Sequence, residues 1–269
     1  MRSEATLWAI GFLVFSLGAG RAQAPEPPRP IEPPPLPLVY GVAPRGEREI
    51  RIDGEASDWP ALRQIPLHFP LQISGGKEYR GQTDLAGRAY LCWDAEHLYL
   101  LVSVLDDFHR PWSPKAPSLN PAGPSGDGIY VRIDPRRDTR AFGRVPERGG
   151  DLGRWVGGLG ESGGRVLRVD RPAGVLAEEK RVDAAFRREA VGKEGQASIL
   201  WYELRIPWRP LLPQGMDLAP DLALGAEIVL EDFDSPVDPL PQTRLGWTFG
   251  SSGILYPGQQ GTLLLLAKP

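Results

Sequence analysis

The chain has 269 residues, 24% of them charged, and its 31 Lys and Arg against 34 Asp and Glu give a formal net charge of −3 at pH 7. A weakly acidic protein with scattered arginines carries no electrostatic footprint for nucleic acid, which excludes that class of partner. A single cysteine, Cys92, excludes an internal disulfide, and its alternating surroundings suit a small buried side chain.

At the N-terminus, MRSEATLWAIGFLVFSLGAGRAQA sets Arg2 before an apolar run from Leu7 to Leu17 and ends in small residues. This is the layout of a secretory signal peptide over residues 1–22, too short to span a bilayer comfortably. Cleavage after Ala22 or Ala24 satisfies the small-x-small rule, and Ala22 is preferred because the other cut leaves Pro25 beside the scissile bond. An uncleaved anchor is the alternative. The mature chain is expected to be secreted or periplasmic, with no stable membrane span after cleavage. Residues 23–39, dominated by PEPPRPIEPPPLPLV, read as a semi-rigid polyproline linker, and 40–269 as one β domain.

Past the linker, apolar residues recur with period two. EIRID (49–53) is predicted as a strand closed by Asp53-Gly54, with Asp58 capping the turn that carries Trp59 and Trp59 plugging the core. GRAYLCWD (87–94) is the next strand, with Trp93 packing and Asp94 starting the turn before His97. In EHLYLLVSVLDD, Leu98, Leu100, Val102 and Val104 share one face and Tyr99, Leu101 and Leu105 the other, which predicts a central strand covered on both sides. DGIYVRID alternates Ile129, Val131 and Ile133 with polar residues. The Gly- and Arg-rich 136–164 reads as a long loop with a broken hairpin near Trp155.

RVLRVD (165–170) and VDAAFRREAV (182–191) are further strands. SILWYELRIPW sets Leu200, Tyr202, Leu204 and Ile206 opposite Trp201, Glu203 and Arg205, and stops at Pro207. A short helical turn is expected at 209–213, followed by strands at 225–234, 245–250 and 261–267. Many short strands without strand–helix alternation predict an all-β, antiparallel sandwich.

Two acidic runs carry the chemistry. Asp106, Asp107 and His109 follow one strand, and Asp127 opens the next after a proline-rich loop. Antiparallel pairing of those strands would bring three carboxylates together. Converging carboxylates repel unless a cation or protons neutralise them, and an oxygen-rich site suits calcium, whereas zinc needs more nitrogen or sulfur than His109 supplies. The ranking is a hydrogen-bonded loop anchor first, calcium at Asp106, Asp107 and Asp127 close behind, and catalysis well back. Glu231, Asp232, Asp234 and Asp238 end another strand, where a solvated terminus is preferred over a second calcium loop. Neither run makes a glycosidase pair, since nothing in the spacing sets two carboxylates across a cleft. His68, His97 and His109 join no serine or Cys92 in a triad, and GGLGESGG (157–164) lacks the Lys-Ser/Thr of a nucleotide loop.

Flat aromatic rings outside the expected core are candidate sugar platforms: Trp112, Trp155, Trp247 and Tyr256, the last with Gln259 and Gln260 nearby. Trp208 reads as structural.

The order of five segments, IDGEASDWPAL (52–62), AYLCWDAEHLYLLVSVLDDFHRP (89–111), GDGIYVRIDP (126–135), WYELRIPWRPL (201–211) and GAEIVLEDFD (225–234), resembles the family 9 carbohydrate-binding modules and their DOMON-like relatives over residues 50–266. The resemblance implies an immunoglobulin-like or jelly-roll β-sandwich, calcium in some members, and a non-catalytic, exported domain that holds a saccharide with tryptophans. Its usual company is secreted glycoside hydrolases. A structural or protein-interaction domain of the bacterial envelope that keeps the fold without the sugar is the rival. Related sandwiches hold haem between methionine and histidine, but Met216 is the one methionine after the leader, so haem is not expected.

Overall fold

Alternating side chains decide where strands form and which face each one buries. The computed structural model describes residues 38–69, 72–74, 79–110, 126–135, 182–192, 197–212, 215–234, 243–248 and 260–268, and the backbone path alone of 154–159, 165–170 and 176–178. In one sheet, β5 (His97–Asp106) lies between β4 (Leu85–Trp93) and β11 (Ala197–Pro207), all antiparallel. β10 (Asp183–Val191) flanks β11, and the short β2 (Ile65–Leu67) runs along β4. On β5, Leu98, Leu100 and Val102 are fully buried on the inner face, and Tyr99 and Leu101 are buried on the outer one. The predicted central strand with cover on both sides is therefore present.

A second sheet has β12 (Ala223–Asp232) at its centre, with β6 (Gly128–Asp134) on one side. On its other side β14 (Gly261–Leu265) and β13 (Thr243–Gly246) lie end to end. β7 (Arg154–Leu159), β8 (Arg165–Asp170) and β9 (Leu176–Glu178) extend the sheet beyond β6, each antiparallel to the last, and β3 (Ile73–Ser74) borders β13. The hairpin expected near Trp155 is an uninterrupted pair of six-residue strands, and β9 was not expected at all. Glycine-rich sequence has weak strand propensity, so ladder partners on both sides of β7 decide its state.

The two sheets face each other across one core. Leu100, Tyr202 and Ile206 from the first meet Ile129, Val131, Ile228 and Leu263 from the second, each at 3% exposure or less. Fully burying such a side chain contributes roughly 1.5–3 kcal/mol. Gly87 of β4 marks the closest approach, since a Cβ there would lie 2.6 Å from Leu230 Cδ1 of β12. After β11, Pro207 ends the ladder and the one-turn helix α1 (Trp208–Leu211) docks Trp208, whose Nε1 donates to the Asp94 carbonyl at 2.9 Å. A helical turn was expected one residue later.

The sandwich is antiparallel except at β1 (Val39–Pro44), which the proline-rich leader conceals in the sequence. Val39–Val42 pair in parallel with Thr262–Leu265 of β14, and Ala43 and Pro44 then pair in parallel with Cys92 and Trp93 of β4. One short strand thus belongs to both sheets. Pro44 is tolerated because it is the last residue of the strand.

Residues 49–53 form no strand, contrary to expectation. Carboxylates take the place of a ladder: Arg51 N donates to Asp58 Oδ2 at 2.8 Å, and Asp53 N and Gly54 N donate to Glu203 Oε2 at 2.9 and 2.8 Å. Asp58 therefore reaches back to Arg51, while the turn at Trp59 closes with its own backbone bond to Ala56. Gly54 adopts φ 84°, and a Cβ there would stand 2.9 Å from Arg187 Cβ, so only glycine suits the site. The segment becomes a strap that lays Ile50 and Trp59 over Cys92, Tyr99 and Leu101 on the outer face of the first sheet. Trp59 is the core plug the sequence suggests, at 7% exposure.

Candidate functional site

Four strand ends meet at one end of the sandwich, and each brings an aspartate. Asp84 precedes β4, Asp106 ends β5 with Asp107 behind it, Asp127 precedes β6, and Asp232 ends β12 with Asp234 two residues on. Asp106 gathers with His109 and Asp127 in one group and with Asp107 and Asp234 in another, and not by the strand pairing expected. β5 and β6 do not pair; they lie in opposite sheets, so the carboxylates meet across the sandwich. The second acidic run is part of the same cluster, because Asp232 and Asp234 turn into it. Glu231 instead pairs with Arg244 at 2.6 Å, and Asp238 lies outside the described residues.

Ligand atoms of Asp84, Asp232 and Asp234 lie within 4.8 Å of one another, as do those of Asp106, Asp107 and Asp234, and those of Asp106, His109 and Asp127. Asp127 is well anchored: Oδ1 accepts from Phe233 N at 2.8 Å, Oδ2 accepts from Arg110 N, and His109 Nδ1 stands 3.0 Å from Oδ2. Asp106 Oδ1 accepts from Phe108 N at 2.8 Å. Asp84 Oδ2 accepts from Arg80 N, and Arg80 Nε donates to its Oδ1. Asp232 differs. It is 1% exposed, and neither carboxylate oxygen finds a hydrogen-bond partner among the described residues. Burial first, then the charges of Asp234, Asp106, Asp127 and Asp84, hold its carboxyl far above the ordinary range. Burial also raises the Asp127, Asp107 and Asp234 carboxyls. A buried carboxylate with two empty oxygens among five others fits a hard divalent cation, which supplies charge and accepts oxygen ligands at roughly 2.3–2.6 Å when it is calcium.

A second polar region lies on the outer face of the other sheet. Asp134 and Arg132 of β6, Glu227 of β12, and Gln260 and Thr262 beside or on β14 are all buried there, opposite the core-facing Ile133, Ala226 and Leu263. Glu227 accepts from Thr248 N at 3.0 Å and from the Thr248 hydroxyl, and burial pushes its carboxyl up to about 7. Gln260 lies over Gly225, where a Cβ would stand 2.5 Å from its Oε1. Both amide atoms of Gln260 lack a hydrogen-bond partner among the described residues, as does the Thr262 hydroxyl. Of this row, the sequence pointed to Gln260 alone; the rest are polar or charged residues on strands, whose register no local signal supplies.

Trp247, a candidate platform, is a core residue instead. It is 4% exposed, stands edge-on to Tyr40 at 6.5 Å, and packs over Gly261, because β13 turns inward at its end. Trp155 lies in β7, its backbone paired with Ile133 and Val169, and its side chain is outside the described residues. Trp112, Tyr256 and Gln259 are outside them as well. Trp201, read as the back of a strand, borders an open groove on the outer face of the first sheet with Ser103, Leu105 and Ile199. The three histidines remain apart: His68 lies tilted against the Phe69 ring, His97 sits near Asp94, and His109 lies between Asp106 and Asp127. Burial pushes the Cys92 thiol up to about 12, which suits packing rather than reactivity.

No family model matches the chain, and no curated protein matches it in sequence. Solved structures do match. A family 9 carbohydrate-binding module from Caldicellulosiruptor kristjanssonii in complex with glucose is similar over 86% of this chain and 97% of its own, with a TM-score of 0.56 and 14% identity. A family 9 module from the same organism in complex with cellotriose matches over 86% of this chain and 94% of its own, again with a TM-score of 0.56 and 14% identity. The protein is a β-sandwich whose fold is like that of these family 9 modules, the fold that the order of its motifs implies. Among the described residues no helix is long and apolar enough to cross a membrane.

Proposed function

We propose that this chain is an exported, non-catalytic carbohydrate-binding domain stabilised by calcium. The observation that carries the reading is the likeness, over 86% of the chain, to modules that hold glucose and cellotriose. The buried row of planar polar groups supports it, because a carboxylate, a guanidinium and an amide match the paired donors and acceptors of sugar hydroxyls. Gln260, with both amide atoms free of partners among the described residues, is the group best placed to bind them. Trp112, Trp155 and Tyr256 supply stacking faces for the sugar ring in this reading. Calcium sits at Asp84, Asp106, Asp107, Asp232 and Asp234, with the His109–Asp127 pair holding the neighbouring wall, and it supplies the positive charge that Asp232 lacks. An N-terminal leader removed at Ala22 delivers the domain outside the cytoplasm.

Affinity gels and glycan arrays, run with calcium present, test the reading. Retention on at least one glucan is expected, weakened about tenfold or more by Gln260→Ala or by loss of a stacking ring. Loss on Trp201→Ala alone would move the sugar to the groove on the opposite sheet. No retention on any plant, algal or bacterial polysaccharide would overturn sugar binding and favour an envelope interaction domain. N-terminal sequencing of exported protein should begin at Gln23.

A further inference from the structure

Two cationic side chains that touch the carboxylate cluster are His109 and Arg80. Arg110 carries its guanidinium over the Phe233 ring, 5.6 Å from the centroid. Arg80 enters from the solvent side, with its side chain 62% exposed. One terminal nitrogen reaches Asp84 Oδ1 at 2.9 Å, Asp107 Oδ2 at 3.0 Å and Asp234 Oδ2 at 3.5 Å. These carboxylates belong to the same groups of three that could ligate a cation. Asp232, at the bottom of the cluster and 1% exposed, receives nothing from Arg80 and keeps two oxygens without partners among the described residues. The cluster thus has an occupied mouth and an unsatisfied floor.

A metal ion and a guanidinium compete for these carboxylates, because two positive charges held in contact repel. Arg80 stands on a flexible stem with water on one side, so it can leave at small cost. Its backbone N–H, which donates to Asp84 Oδ2 at 3.1 Å, stays behind and keeps that carboxylate aimed inward.

We propose that Arg80 is a tethered competitor for the cation, holding Asp84, Asp107 and Asp234 while the cluster is empty and swinging into solvent when a divalent ion binds. The proposal rests on the calcium reading of the cluster. Its consequence is a raised threshold: the site fills where calcium is abundant, because binding must first displace an internal cation. The chain therefore stays neutralised at the mouth when calcium is scarce.

Calcium titration of the mature chain by calorimetry, with chelator-treated protein and calcium chloride alone as the probe, tests this. Arg80→Gln should bind calcium about tenfold more tightly than the parent, since several partly exposed ion pairs no longer oppose binding. Arg80→Lys, which keeps the charge, should stay near the parent value, and Asp232→Asn should bind no calcium. In the parent, the Arg80 Nε–H resonance should lose its protection from exchange when calcium is added. Unchanged or weaker binding by Arg80→Gln, with the parent binding normally, overturns the competitor and leaves the calcium site standing. Binding by Arg80→Gln where the parent binds none supports it most directly. Absence of binding in every variant overturns the calcium reading and the competitor with it.

Discussion

Glu227 shows how one buried carboxyl can make stability depend on pH. It is fully buried on β12, faces Arg132 across the ladder on β6, and accepts two hydrogen bonds from Thr248. Burial outweighs those bonds and lifts the group from its ordinary 4.5 to about 7. The folded state therefore keeps a proton that the unfolded chain releases. The associated stability is fully present below pH 4.5 and is lost as pH rises through about 7. Glu227→Gln mimics the protonated form and can keep both contacts with Thr248. With calcium saturating, the variant should gain on the parent between pH 5 and pH 8 in thermal melts, by on the order of 2–3 kcal/mol at the upper end. A constant difference between the two across that range would show that Glu227 does not titrate there.

At the scale of elements, the strap from Glu49 to Leu62 depends on a carboxylate some 150 positions away. Glu203 of β11 is 0% exposed and accepts from Asp53 N, Gly54 N and Trp59 Nε1, the last at 2.7 Å. Glu203→Ala would leave three donors unpaired under the strap and should cost on the order of 3 kcal/mol or more in urea unfolding. Trp59→Phe removes one donor and should cost about 1–2 kcal/mol. This anchor also shows where sequence reading stops. Alternation on β5 and β11 is local, so Leu98 to Val104 and Leu200 to Ile206 reveal their inner faces from spacing alone. Glu203 reads as the polar face of a strand, and EIRID as a strand of its own, because the bond that decides both is remote. In the acidic cluster, Asp106, Asp107 and Asp127 are legible as residues at strand ends. Asp84 is not, since GQTD looks like an ordinary turn, and convergence across two sheets leaves no trace in the spacing.

The whole molecule is held by a seam as well as by its core. Val42 of β1 is 0% exposed and packs in the core shared by both sheets, while the backbone of its strand pairs with β14 and then β4. The prolines before it make this strand look like the end of a linker. A chain starting at Leu38 should therefore melt as one cooperative unit close to the full mature protein. A chain starting at Arg45 should lose the cooperative transition, because the edge of each sheet is then unpaired and Tyr40 and Val42 leave the core. Circular dichroism melts of the two truncations separate these outcomes, and a cooperative melt without β1 would make the seam dispensable.

β1 also sets how the molecule responds to mechanical load. Because it runs in the same direction as β14, tension applied through the preceding segment pulls along the strand. When the opposing force acts at the C-terminal end of β14, the hydrogen bonds to Thr262–Leu265 must be sheared together rather than peeled apart one at a time. A domain tugged from its N-terminal side would hold until the whole zipper slipped, so the same short strand that closes the sandwich also serves as its strain relief.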